Sequence, residues 1–215
     1  RLGGIVRNRD LRDRYRLAGL RKVMSQHTYR HRLLDIVDKA FGADLEKVPP
    51  MVAVVSDPRD RAELEHVLAC YRSQNYGNRR LHLMLGPDMA CEADDVIRIS
   101  NPGDVRGNLV SYMCPSDSYG ADYLGDLVLA MDWSGCRLVG KGAYHRGMER
   151  NLIGDGNEFR FVDHLHWRRS LADIDLAEDL LDSIGDDRDA RARDAVVLSV
   201  NRFNYLADAR VEDWS

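Results

Sequence analysis

Leu109-Val110-Ser111-Tyr112-Met113-Cys114-Pro115-Ser116-Asp117-Ser118-Tyr119-Gly120, followed by residues 121–133, is the stretch from which the rest of the chain falls into order. Residues 109–113 form a short apolar run of strand character. Pro115, Ser116, Asp117, Ser118 and Gly120 are turn formers, each able to bend the chain sharply. Residues 121–133 then place Leu124, Leu127, Val128 and Met131 at helical spacing. A strand, an acidic turn and a helix in that order put the turn at the carboxyl end of a strand. Open α/β sheets bind their ligands there.

The same alternation extends in both directions. Toward the N-terminus, Met51-Val52-Ala53-Val54-Val55 is a continuous apolar run, as expected for a strand buried on both faces. Ser56-Asp57-Pro58 turns the chain into a helix over 59–74, with Leu64, Val67, Leu68 and Tyr71 on one side. Strands are predicted at 81–85, closed by Gly86-Pro87-Asp88, and at 96–99. Toward the C-terminus the pattern predicts a strand over 137–141, an extended stretch over 158–167, a helix over 171–184 and a last strand over 195–200. The alternation implies an α/β domain with a mostly parallel central sheet. Residues that follow strands become site candidates: Ser56, Asp57, Asp88, the 100–108 segment, and Ser116 with Asp117.

The first part of the chain differs in character. Residues 1–47 form a basic helical segment and linker, and residues 48–215 the α/β domain. Residues 10–26 are dense in arginine, and residues 33–41 carry a second helical pattern that Gly42 closes. Pro49-Pro50 stiffens the approach to the domain.

A net charge of −4, from Lys+Arg 31 and Asp+Glu 35, gives no electrostatic reason for nucleic acid as a partner. No apolar run is long enough for a membrane span, and no secretory signal is visible. Cys70, Cys91, Cys114 and Cys136 form no Cys-x-x-Cys pair and read as free thiols, which places the chain in the cytoplasm. The chain begins at Arg1 and reads as an excised or processed piece.

Four features in order resemble the family-two-like glycosyltransferases of A-type fold: the first strand with its polar turn, the helix ending Gln74-Asn75-Tyr76, the 116–127 stretch with Tyr119-Gly120, and Val139-Gly140-Lys141. Asn201-Arg202-Phe203-Asn204-Tyr205 is similar to that family's closing strand. The resemblance covers residues 48–205. It implies a three-layer nucleotide-diphospho-sugar transferase fold. His27-Thr28-Tyr29-Arg30-His31-Arg32 is similar to the C-terminal end of spore-maturation-type B-fold glycosyltransferase domains. Residues 1–47 are thus either the tail of an upstream domain or a basic helix that packs on this one.

The resemblance implies transfer of a hexose from a nucleoside diphosphate donor to a glycan, cell-envelope or natural-product acceptor, with inversion. Such enzymes use Mg²⁺ or Mn²⁺, held by carboxylates, to neutralise the diphosphate leaving group. Asp117 is the expected metal ligand; its other reading is a turn residue. Asp179 is the expected general base, with Glu178 as a hydrogen-bonding neighbour, or both lie on a solvated helix face. Asp57 would bind the base or ribose, or cap a helix. Asp88 would meet the base edge, or serve its turn. Arg106 and Lys141 would neutralise phosphate, or be surface cations. Trp167, in Trp167-Arg168-Arg169 on the acceptor side, would stack on a sugar or enter the core.

Two departures stand out. Cys114-Pro115-Ser116 replaces the acidic neighbours of Asp117, and residues 104–108 run almost directly into the strand where relatives carry a helix. They leave a second reading open, a catalytically impaired pseudo-glycosyltransferase that serves as a binding or scaffold module. A nucleotidyltransferase is the third, and no glycine-rich phosphate loop follows the first strand.

Overall fold

Two prolines mark a structural boundary: in the computed structural model, which describes residues 7–42, 48–91, 93–176, 189–190 and 196–210, the chain divides into the units Arg1–Pro49 and Pro50–Ser215. In the first unit, helix α1 (Arg9–Gln26) is capped by Asn8, whose side chain accepts from the Leu11 N–H. Helix α2 (Tyr29–Phe41) is capped by Thr28 and ends at Gly42 in the left-handed conformation that glycine adopts without strain.

The second unit runs β1 (Val52–Ser56), α3 (Arg61–Arg72), β2 (Arg79–Leu83), β3 (Val96–Arg98), β4 (Leu109–Tyr112), β5 (Ser118–Tyr119), α4 (Tyr123–Ser134), β6 (Leu138–Gly140) and β7 (Tyr144–Arg146). It continues with β8 (Asn151–Ile153), β9 (Arg160–Val162), β10 (Leu165–His166), β11 (Ser170–Asp173), β12 (Asp189–Ala190), β13 (Val197–Ser199) and β14 (Tyr205–Ala207). Eight strands form the central sheet in the order β3-β2-β1-β4-β11-β6-β13-β9. Pairs β3-β2, β2-β1, β1-β4 and β6-β13 are parallel, whereas β11 and β9 run against their neighbours. A four-stranded sheet, β5-β14-β7-β8, and the pair β10-β12 complete the unit.

Every residue of β1 is buried, because the sheet is covered on both sides. Val52 and Val54 face a core closed by Leu64, Val67 and Tyr71 of α3 and by Leu124 and Leu127 of α4. Ala53 and Val55 face a second core closed by Ile99, Val105, Leu165 and Trp167. Among the described residues this second face is covered by turns and short strands, in keeping with the short 101–108 connection.

The helix predicted over 171–184 is corrected by the structure. Its first residues form β11, inserted between β4 and β6, and a 3₁₀ turn follows at Ile174–Leu176. The reason is double burial: Leu171 enters one core and Ala172 the other, and pairing on both edges outweighs a local helical pattern. The remainder, 177–184, lies outside the described residues.

Two of the motif residues are staples. Gln74 is buried; its amide donates to the carbonyls of Cys70 and Gly120, and its oxygen accepts from the Leu124 N–H, closing the first turn of α4. Gly140 lets β11 approach β6: a Cβ there would stand 2.4 Å from the Arg169 carbonyl oxygen. That contact forces the backbone apart, so Gly140→Ala is expected to cost roughly 1–3 kcal/mol, measured by urea unfolding.

Candidate active site at the carboxyl edge of the sheet

The parallel strands β1, β2, β4, β6 and β13 end on one edge, and the residues that follow them build the candidate site. Ser56 donates to the Met113 carbonyl (2.6 Å), locking the ends of β1 and β4 together. Asp57 accepts from the Tyr112 hydroxyl (2.5 Å), and burial raises its pKa above the usual carboxylate range. The helix-cap role falls to Asp60, whose side chain accepts from the Glu63 N–H (2.8 Å). Asp57 is therefore held half-buried at the edge without serving as a cap.

Asp117 lies in the turn after β4 and is 0% exposed. The Arg168 guanidinium grips both of its oxygens, Nε to Oδ2 at 2.9 Å and an Nη to Oδ1 at 2.5 Å. The Tyr205 hydroxyl donates to Oδ2 (2.8 Å), and the Asp208 N–H to Oδ1 (2.9 Å). His66 Nε2 reaches the Asp117 carbonyl (2.8 Å). Burial and the Asp117 charge together push the Tyr205 phenol well above its ordinary pKa, so it remains a donor.

A carboxylate offers about four lone-pair sites, and these donors use them. The residues present do not fit a divalent cation at Asp117, because a cation there would have to displace a guanidinium. Among the described residues no group of three His, Cys, Asp or Glu side chains is placed to hold a metal ion. Asp117, the expected metal ligand, forms an ion pair with Arg168 in this structure.

Other candidates are dispersed. Lys141, expected to meet phosphate, is 0% exposed and buried between helix and sheet. Its ammonium donates to Asn201 Oδ1 (3.0 Å) and lies 3.7 Å from Asp126, which also accepts from Asn201 Nδ2 (2.9 Å). Such a cation ties α4, β6 and the end of β13 together and is closed off from solvent. Arg106 donates to the carbonyls of Gly103 (2.6 Å) and Val105 (2.9 Å). Its segment lies at the opposite edge, where Asn108 and Leu109 pair with Met51 ahead of β1. Asp88 is exposed in the turn after β2, which Arg98 braces through the carbonyls of Leu85, Gly86 and Met89. Trp167 is buried in the second core. Glu178 and Asp179 lie outside the described residues.

The side chains near Asp117 that were not among the candidates from sequence are Arg146, Arg168, Arg169, Tyr205 and Asp208. The arginine doublet beside Trp167 was the available signal. Arg168 is set by its backbone: its N–H donates to His166 Nδ1 (3.3 Å) and its carbonyl accepts from the Tyr119 hydroxyl (2.7 Å). Its guanidinium also donates to Ser116 Oγ (3.0 Å) and to Asp208 Oδ1 (2.8 Å). Arg146 Nε donates to the other Asp208 oxygen (2.6 Å). Partial burial opposes ionisation of Asp208, but the bonds and charges of Arg168 and Arg146 prevail and hold its pKa below the usual carboxylate range. Arg169 donates to the Lys141 carbonyl (2.8 Å) and lies 4.3 Å over the Tyr144 ring. Two guanidinium groups, those of Arg168 and Arg146, thus meet two carboxylates, with Arg169 beside Arg168 in the chain, an arrangement suited to recognising an anion with several oxygens.

No protein-family profile matches the chain, and no curated protein matches it in sequence. Solved structures do match in fold. The crystal structure of S. aureus TarS 1–349 in complex with UDP-GlcNAc superposes with a TM-score of 0.50 at 11% identity, over 75% of this chain and 59% of that one. The crystal structure of S. aureus TarS gives 0.50 at 11% identity, over 74% of this chain and 37% of that one. The chain therefore spans less than two thirds of these structures, and at such identity the likeness is one of fold. Its mixed α/β architecture, with a large and mostly parallel central sheet, is that of the A-type glycosyltransferases.

Proposed function

We propose that the second unit is a glycosyltransferase domain that binds a nucleoside diphospho-sugar at the carboxyl edge of the sheet and transfers the sugar to an acceptor hydroxyl. The observation that carries this reading is the cluster of Arg146, Arg168 and Arg169, assembled at that edge on an A-type fold. A diphosphate concentrates negative charge, and planar guanidinium groups match its oxygens in pairs. The fold shared with a structure that contains UDP-GlcNAc supports a sugar nucleotide as the donor class.

In this reading Asp57 and Asp88, at the ends of β1 and β2, face the nucleoside. Asp179, with Glu178 beside it, is the proposed base that takes the acceptor proton as the hydroxyl attacks the anomeric carbon, giving inversion. The acceptor is a glycan, a cell-envelope component or a natural product, and an upstream glycosyltransferase domain is the proposed neighbour of residues 1–47. Among the described residues no helix is long and apolar enough to cross a membrane. The second reading, a scaffold without turnover, is favoured by one observation: every acceptor site of Asp117 is occupied by the protein itself.

Nucleoside diphosphate release from a panel of uridine- and guanosine-diphosphate sugars, read together with binding by calorimetry, tests the choice. Binding with release is expected. Binding without release, or no binding of any nucleotide, removes the transferase reading in favour of the scaffold.

A further inference from the structure

We infer that Arg168 takes over the electrostatic task of a divalent cation in this site, and that Arg168, Arg169 and Arg146 hold the diphosphate of the donor without a metal ion. The inference rests on the sugar-nucleotide reading above.

Four observations carry it. First, the Arg168–Asp117 pair is bidentate, and its carboxylate is fully buried. A guanidinium stays charged at any working pH, so it supplies a fixed positive charge where a metal would supply one on loading. Second, the Arg168 side chain is 20% exposed, so the cation that neutralises Asp117 still reaches the surface.

Third, that surface already holds an anion. Asp208, with its side chain 36% exposed, places one oxygen on Arg168 (2.8 Å) and the other on Arg146 (2.6 Å). A carboxylate bridging two guanidinium groups stands in for two phosphate oxygens in charge and in spacing. Asp208 sits at φ 52, in the left-handed region, just after β14. Its N–H is fixed on Asp117 while its carboxylate points outward, so the side chain can yield to a ligand and leave the backbone in place. Fourth, Arg169 has no carboxylate partner among the described residues; its guanidinium meets a carbonyl and an aromatic face. Displacement of Asp208 by a diphosphate brings Arg168 and Arg146 a ligand of greater charge.

The test is calorimetric titration of uridine diphosphate, and separately guanosine diphosphate, into the whole chain in EDTA and in excess Mn²⁺. Affinity for the accepted nucleotide is expected to agree between the two conditions within about threefold. Binding that needs Mn²⁺ overturns the inference and leaves the sugar-nucleotide reading standing. Absence of binding in both conditions overturns both. Arg168→Ala alone strands a buried Asp117, so the paired change Asp117→Asn with Arg168→Gln is the variant of choice. With native circular dichroism, it is expected to lose at least about tenfold in affinity in EDTA; unchanged affinity overturns the inference. Asp208→Asn removes the competing charge and is expected to raise the affinity for the same nucleotide several-fold. Unchanged or lower affinity overturns the proposal.

Discussion

Asp117→Ala is expected to lower the stability of the second unit by about 3–5 kcal/mol, the loss seen when one partner of a buried ion pair is removed. The carboxylate is 0% exposed and serves the Arg168 guanidinium, the Tyr205 hydroxyl and the Asp208 N–H at once. Truncation leaves three donors without their acceptor, and Tyr205 is itself buried among Tyr119, Tyr123 and Tyr144. No small rearrangement restores these bonds, because Tyr119 fixes the Arg168 carbonyl and β14 fixes Tyr205. Urea unfolding followed by tryptophan fluorescence and far-ultraviolet circular dichroism reads the loss. A carboxylate whose task is to hold a metal from solvent would leave the midpoint of the metal-free protein nearly unchanged. A wild-type midpoint for Asp117→Ala would therefore refute the ion-pair account.

Lys141→Ala is expected to cost about 3–5 kcal/mol by the same physics, because it leaves the buried Asp126 carboxylate without its ammonium partner. The ammonium and the carboxylate are 0% and 3% exposed, so solvent cannot replace either partner. Removing both charges together is a different matter. A double change, Lys141→Met with Asp126→Leu, keeps volume and eliminates the desolvated ions, and is expected to recover most of the lost stability. The recovered double variant also separates structure from binding. If Lys141 is a staple, nucleotide affinity measured by calorimetry stays at the wild-type value. A folded double variant that no longer binds nucleotide would return Lys141 to the phosphate site.

These two residues show how far the chain could be read before it was folded. Lys141 follows a strand, in a position where cations often meet phosphates, and that position was legible. What turned its ammonium inward is the acid on α4 and the amide after β13, at sequence separations that no periodicity reports. Asp117 was legible as the acidic residue after the fourth strand. Its partner was not: Arg168 stands 51 residues away and the Asp208 N–H 91 residues away. In sequence Arg168 is one of two arginines beside a tryptophan, and Trp167 drew attention by its size while it merely fills the second core.

Strand β11 gives the same lesson for the fold. Leu171 and Ala172 carry no local mark of a strand, and the acidic residues after them favour a helix by pattern. Two open edges, those of β4 and β6, decided otherwise.

What the sequence determined by itself is the alternation of buried strands with amphipathic helices, and with it an α/β domain with a mostly parallel sheet. Apolar runs such as 52–55, the helical spacing of Leu64, Val67 and Tyr71, and the glycine at 140 act through local geometry, and local geometry is written in consecutive residues. Tertiary structure alone decided the charge of the site. Whether Asp117 meets a metal or a guanidinium depends on which side chain the folded chain brings within 3 Å of it. That proximity arises from long-range packing, which places Arg168 by way of Tyr119, His166 and the close passage of β11 past Gly140.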